Sequence, residues 1–159
     1  MSKATKTVAA APEAITVNFK ISTIELLRSV VNAPETEISV TNCNFNIHIQ
    51  SKIDEKEQFI FIVINVDTTT QDNQYILGSV TTSCIYKIIN FEDVIIRRKT
   101  GELEVPENLA VLFNSISLST TRGIMFSAFR GTFLHGAILP VVNPSEIKLT
   151  NNKEGLIDK

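Results

Sequence analysis

At 159 residues the chain has the length of one ordinary domain, and 43% hydrophobic with 20% charged residues is a globular composition, not a disordered one. Fifteen Lys and Arg against seventeen Asp and Glu leave a net charge of -2, which gives no electrostatic reason to expect nucleic acid or an anionic membrane as a partner. Tryptophan is absent, glycine is scarce and β-branched residues abound, so the expected class is α+β, a sheet with some helix.

In chain order, Lys3 and Lys6 precede the run Val8 to Ala11, but Pro12 and Glu13 interrupt it before it reaches the length of a signal-peptide core. Residues 1–14 are therefore expected to be a disordered leader, no stretch reads as a membrane span, and the expected location is cytoplasmic. From Ile15 to Val31, Ile15, Val17, Phe19 and Ile21 alternate with polar residues as in a half-buried strand, while Ser22 to Leu27 could equally cap and start a helical turn. After the break at Asn32-Ala33-Pro34, the segment Glu37 to Ile53 alternates again, and its change of phase at Thr41 to Asn44 predicts a bulge.

Gln58 to Thr68 carries Phe59, Phe61 and Val63 on one parity and Ile60, Ile62, Ile64 and Val66 on the other. A strand apolar on both faces belongs in the middle of a sheet, with its second face covered by more chain or by another subunit. Too few helical residues remain to cover two faces, so a homodimer or homotetramer is the economical expectation. The next strand, Asn73 to Ile89, has a small polar middle (Gly78, Ser79, Thr81, Thr82, Ser83) that suits either a face exposed for docking or a solvent-facing edge. Phe91 to Gly101 reads as a short helical turn and a basic loop.

Leu109, Leu112, Phe113 and Ile116 then repeat at helical spacing after Pro106, and this helix is expected to end before Ser119. Ser119, Thr120 and Thr121 look like the start of a second helix that Gly131 ends. On that helix Ile124, Met125, Phe126, Ala128, Phe129 and Phe133 make a broad apolar arc, whereas Gly123, Ser127 and Arg130 leave a face small enough for another backbone to approach. Arg122 falls inside the apolar arc, where a guanidinium needs a partner to offset desolvation; it is expected to anchor the fold by binding backbone carbonyls or a carboxylate. Ala137 to Val142 is a short apolar segment, and residues 145–159 form a polar tail.

Chemistry is sparse. His48 and His135 are the only histidines, and no nucleophile, phosphate-loop, dinucleotide or zinc-ligand pattern accompanies them, so no enzyme, cofactor or metal is expected. Cys43 and Cys84 lie in different strand segments without CxxC spacing, as two small buried thiols do.

The order Thr121-Arg122, then Arg130-Gly131-Thr132-Phe133, then Leu139-Pro140-Val141-Val142-Asn143 resembles the terminal motif of the SecB protein-export chaperone family. The strand segments upstream follow the order seen in that family, so the resemblance spans roughly Ile15 to Asn143 and favours strand over helix for Ile15 to Val31. It implies a SecB-like domain over residues 15–144: a four-stranded antiparallel sheet with two helices packed on one face. It further implies a chaperone that holds unfolded polypeptides or preproteins, or alternatively a module of the same fold dedicated to one partner, as in an antitoxin-linked or mobile-element adaptor. Leu109, Leu112, Phe113, Ile116, Phe126, Phe129 and Phe133 are the residues best suited to line a client groove, though each suits a core as well. Two family features are missing, an acidic sheet face (here Ser79 to Thr82) and a zinc-binding tail, so the SecA motor is expected to bind weakly or elsewhere.

Overall fold

The computed structural model describes residues 16–35 and 42–143. The expected leader, the part of the second expected strand from Glu37 to Thr41, and the polar tail lie outside the described residues, and from Asn44 onward β2 pairs without a register shift. Four alternating segments become four strands: β1 (Phe19–Val31), β2 (Asn44–Asp54), β3 (Phe59–Thr69) and β4 (Ile76–Ile88). All neighbours are antiparallel, in the order β1-β4-β3-β2. Hairpins join β2 to β3 and β3 to β4, while β1 pairs on the far side of β4 and so forms one edge. Two register shifts, between Ile21 and Thr23 and between Leu26 and Arg28, leave Ser22 and Leu27 as extra residues in β1.

Period two decides what each strand buries. On β3 the side chains of Ile60, Ile62, Ile64 and Val66 face the helix layer and are at most 2% exposed, whereas Phe59, Phe61 and Val63 face outward and stay half-buried. β4 is interior, not an edge. Its Val80, Thr82, Cys84, Tyr86 and Ile88 point to the helix layer, and even outward Ser79 and Ser83 are buried between the neighbouring strands. The small polar middle of this strand is therefore not the exposed edge or docking face that its composition suggested.

After the short helix α1 (Phe91–Val94), a small hairpin of β5 (Ile96–Arg97) and β6 (Leu103–Glu104) replaces the expected basic loop. Its two arginines are paired, Arg97 with Glu55 and Arg98 Nε with Glu104 at 2.6 Å. One uninterrupted helix, α2 (Glu107–Ala128), then takes the place of the two expected ones. Ser119, Thr120 and Thr121 do not restart it. The hydroxyls of Thr120 and Thr121 donate instead to the carbonyls of Ile116 and Ser117, at 2.9 and 2.7 Å, which hydroxyl side chains can do within a continuous helix. At 22 residues α2 is long and apolar enough to cross a membrane by length and composition, which the reading of two shorter helices had missed. Here it lies on the sheet, burying Leu109, Phe113, Leu118 and Met125 together with the polar Asn114, Ser117 and Thr121.

Those polar residues form a seam with β4. Tyr86 Oη lies 2.7 Å from Ser117 Oγ, and Thr82 Oγ1 lies 2.7 Å from Thr121 Oγ1. Around them Tyr86 stacks on Phe113 at 4.3 Å between ring centroids, and Phe19 meets Phe113 edge-on at 5.0 Å. Burial pushes the Tyr86 hydroxyl up to about 12. Its ionisation is suppressed in the folded protein and ordinary, near 10, in the unfolded chain. The stabilisation is therefore complete below about pH 10 and is lost as pH rises toward 12. Urea unfolding should show this alkaline loss in the wild type and a smaller one in Tyr86→Phe, a variant less stable at pH 7 by about 1 kcal/mol.

Where the chain beyond α2 crosses β4, Gly78 permits the contact. A Cβ there would stand 2.5 Å from Leu134 Cδ1, 2.9 Å from Phe129 Cζ and 3.2 Å from the Val30 carbonyl. Both side chains are fully buried, and the carbonyl belongs to a paired strand, so little can yield. Gly78→Ala should cost about 1–3 kcal/mol, seen as a lower urea midpoint with the slope unchanged.

Candidate functional site

The seven apolar candidates do not form one surface. Leu109, Phe113 and Phe129 are core, at 3% exposure or less, and Ile116 and Phe133 are half-buried. Leu112 and Phe126 are open, at 43% and 45%. What the sequence did not single out is the edge strand. Ile21, Ile24, Leu26 and Leu27 of β1 are each between 43% and 53% exposed, and the first three point to the same side of the sheet as α2.

Between β1 and α2 runs an open groove of about 550 Å³, lined by Leu26 from the strand and by Ser119, Thr120, Gly123, Ile124, Ser127 and Ala128 from the helix. Ser115, Ser119, Gly123 and Ser127 follow one another at intervals of four, so they form a shallow row along the helix surface, with Leu112 and Phe126 near its two ends. The row is small because a bulkier residue would close the groove. Its wall on the other side is a strand whose outer backbone edge has no neighbouring strand among the described residues. This geometry suits an extended polypeptide, whose apolar side chains can enter beside Leu26 and Ile124.

Arg122 sits on another side of α2. Its Nε donates to the Leu139 carbonyl at 2.7 Å and its Nη2 to the Pro140 carbonyl at 2.9 Å. Gly131, at a φ of 78°, turns the chain after the helix, and Leu134, Ala137 and Leu139 bury themselves in the core. The guanidinium ties this returning segment to the helix while Ile138 and Val141 remain outside, at 57% and 89% exposure.

His48 and His135 are not brought together. His48 projects from the outer face of β2, opposite the helix layer, and His135 lies beyond α2, its ring 5.7 Å from that of Phe126. Among the described residues no three His, Cys, Asp or Glu side chains gather as metal ligands would.

The class is defined by this arrangement: a SecB-like α+β fold, with a helix packed on a four-stranded antiparallel sheet. Among solved structures the chain is similar to the SecB-like chaperone Rv1957 of Mycobacterium tuberculosis, in complex with a ChAD peptide from the Rv1956 HigA1 antitoxin, with a TM-score of 0.51. The match covers 78% of this chain and 90% of that one at 12% sequence identity, a likeness of fold. No protein-family model and no curated protein matches the sequence.

The Arg122 contacts can be weighed directly. Replacing Arg122 by Met removes two charge-assisted bonds to carbonyls, one of them half-shielded from water, and should cost about 1–3 kcal/mol. Limited proteolysis should then cut first between Ala137 and Asn143. An unchanged melting temperature together with an unchanged cleavage pattern would show that the clamp contributes nothing.

Proposed function

We propose that this protein is a SecB-like, non-enzymatic chaperone that holds a partner polypeptide in extended form along the groove between β1 and α2. The observation that carries the reading is the set of exposed apolar side chains of β1, Ile21, Ile24 and Leu26, beside a small-floored groove on the same side of the sheet. Each apolar side chain seated there would contribute roughly 1.5–3 kcal/mol before the cost of ordering the partner. Several seated together would give useful affinity without a fixed motif.

Of the two chaperone readings, the dedicated-partner one is favoured over a general holdase of preproteins. A similar fold binds a peptide from an antitoxin, and the groove here is bounded by few side chains. SecA is the weaker partner in this reading, because the acidic residues of the outer sheet face, Glu25, Asp54 and Asp67, are dispersed among Lys20, Arg28, Lys52 and Lys87. We also propose that two copies pair through β1. Edge pairing uses only main-chain groups, so it leaves Ile21, Ile24 and Leu26 facing the helix layer and joins two grooves into one, walled by two copies of α2. A tetramer would stack two such pairs.

Client breadth tests the central claim. The purified protein should protect one co-encoded or co-purifying partner while suppressing the aggregation of several unrelated unfolded proteins poorly. Gly123→Leu, which fills the groove, should abolish partner binding with little change in melting temperature. Broad protection would restore the general holdase, and unaltered binding by Gly123→Leu would remove the groove from the account. Light scattering at micromolar concentration should report a dimer or a multiple of it; a monomer would remove the pairing.

A further inference from the structure

The outer face of the sheet, on the side away from α2, holds a second feature that the groove does not use. Its lower half carries Phe59, Phe61 and Val63 of β3 and Ile85 of β4, all half-buried and facing away from α2. Three lysines surround this patch. Lys20 and Lys87 stand directly opposite each other on β1 and β4, and Lys52 stands opposite Phe61 on β2. Lys87 Nζ lies 5.0 Å from the centroid of the Phe59 ring and donates to the Glu57 carbonyl.

Like charges placed directly across a strand pair are destabilising, and here none of the three lysines makes an ion pair with a described carboxylate. Of the acidic groups that share this face, Asp54 stands opposite Phe59 and accepts the Glu57 backbone N–H in the turn, and Glu25 stands opposite Ser83, level with Val63, so the three lysines outnumber two carboxylates at the patch. Asp67 lies at the other end, opposite Ser79. The lower half is thus an apolar centre with a net positive rim, in a chain whose overall charge is negative.

We propose that this face is a second docking surface, for a polypeptide segment in which carboxylates alternate with apolar or aromatic side chains. Apolar residues of the segment would cover Phe61, Val63 and Ile85, and its carboxylates would meet Lys20, Lys87 and Lys52. Apolar burial supplies the affinity, and the lysine rim supplies on-rate and the choice of an acidic over a basic partner. The surface is separate from the β1 groove, since the two lie on opposite sides of the sheet. It neither needs nor excludes the chaperone reading above.

Fluorescence anisotropy on the full chain tests it with three labelled probes: a peptide of about ten residues alternating Glu with Leu and Phe, its Lys-for-Glu counterpart, and an oligothymidylate of similar length. The double variant Lys20→Glu/Lys52→Glu is the control of choice, because both side chains are exposed and neither belongs to the core. The acidic peptide should bind the wild type, weaken severalfold between about 50 and about 300 mM salt, and weaken about tenfold or more in the double variant. Gly123→Leu should leave its affinity unchanged, which separates this surface from the groove. Equal binding of both peptides, or indifference to the lysine reversal, would overturn the proposal. Tighter, lysine-dependent binding of the oligonucleotide would overturn it too, in favour of bases stacking on Phe59 and Phe61.

Discussion

The position of α2 on the sheet governs everything else, and a buried polar seam holds it. Tyr86 with Ser117 and Thr82 with Thr121 are hydroxyl pairs four residues apart on β4 and four apart on the helix, so both close only in one register. A slide of the helix by one residue would leave the buried hydroxyls of Thr82, Tyr86 and Ser117 seeking partners, each worth about 1–3 kcal/mol when unsatisfied, while Thr121 keeps its bond to the Ser117 carbonyl. An apolar seam would tolerate such a slide far better. The ring cluster of Phe19, Tyr86 and Phe113 fixes the same end of the contact.

From that register the open groove follows by size. Strands about 4.8 Å apart make four of them about 14 Å wide between outer axes, and a helix with its side chains is about 10 Å across. Seated over β3 and β4, α2 leaves part of β1 bare. The returning segment after Gly131 covers the ground near Gly78 with Leu134 and then meets Arg122 through Leu139 and Pro140. The exposed Ile21, Ile24 and Leu26 are therefore not failures of burial. They are the remainder when one helix is fixed on the inner pair of a four-stranded sheet.

The strands were legible because period two writes burial into the sequence at every position, and β3 announced its central place through apolar residues on both parities. The helix was misdivided for a local reason. Ser119-Thr120-Thr121 is the composition of a helix start, yet in a helix with apolar residues on both sides the same hydroxyls bond to carbonyls one turn back. Only packing decides between the two, and the partner that decides it, Thr82, lies 39 residues away. The groove was missed because aromatic content drew attention to Phe113 and Phe129, which are core. Its actual floor is defined by what is small, Gly123 and Ser127, and its wall by a strand whose place at the sheet edge no alternation pattern reveals. The spacing of Ser115, Ser119, Gly123 and Ser127 was the available signal, and it becomes readable once the helix is taken as continuous.

The two edges of the sheet differ in a way that bears on which partner can be admitted. β2 presents the polar Asn46, His48, Ser51 and Lys52 among its exposed residues, the usual guard against unwanted strand pairing. β1 is guarded differently: Lys20, Glu25 and Arg28 sit on its outer face, and its helix-side face is apolar. Two extra residues, Ser22 and Leu27, interrupt its register five positions apart. A flat strand with a continuous hydrogen-bond register cannot follow β1 along its full length past these bulges, because each one twists the strand and shifts the ladder. A partner must carry matching irregularities, as an antiparallel copy of β1 would, or engage only the few residues between them. The bulges thus leave the edge available while restricting what can use it, so under the proposed function discrimination would rest on backbone geometry as much as on the side chains of the groove.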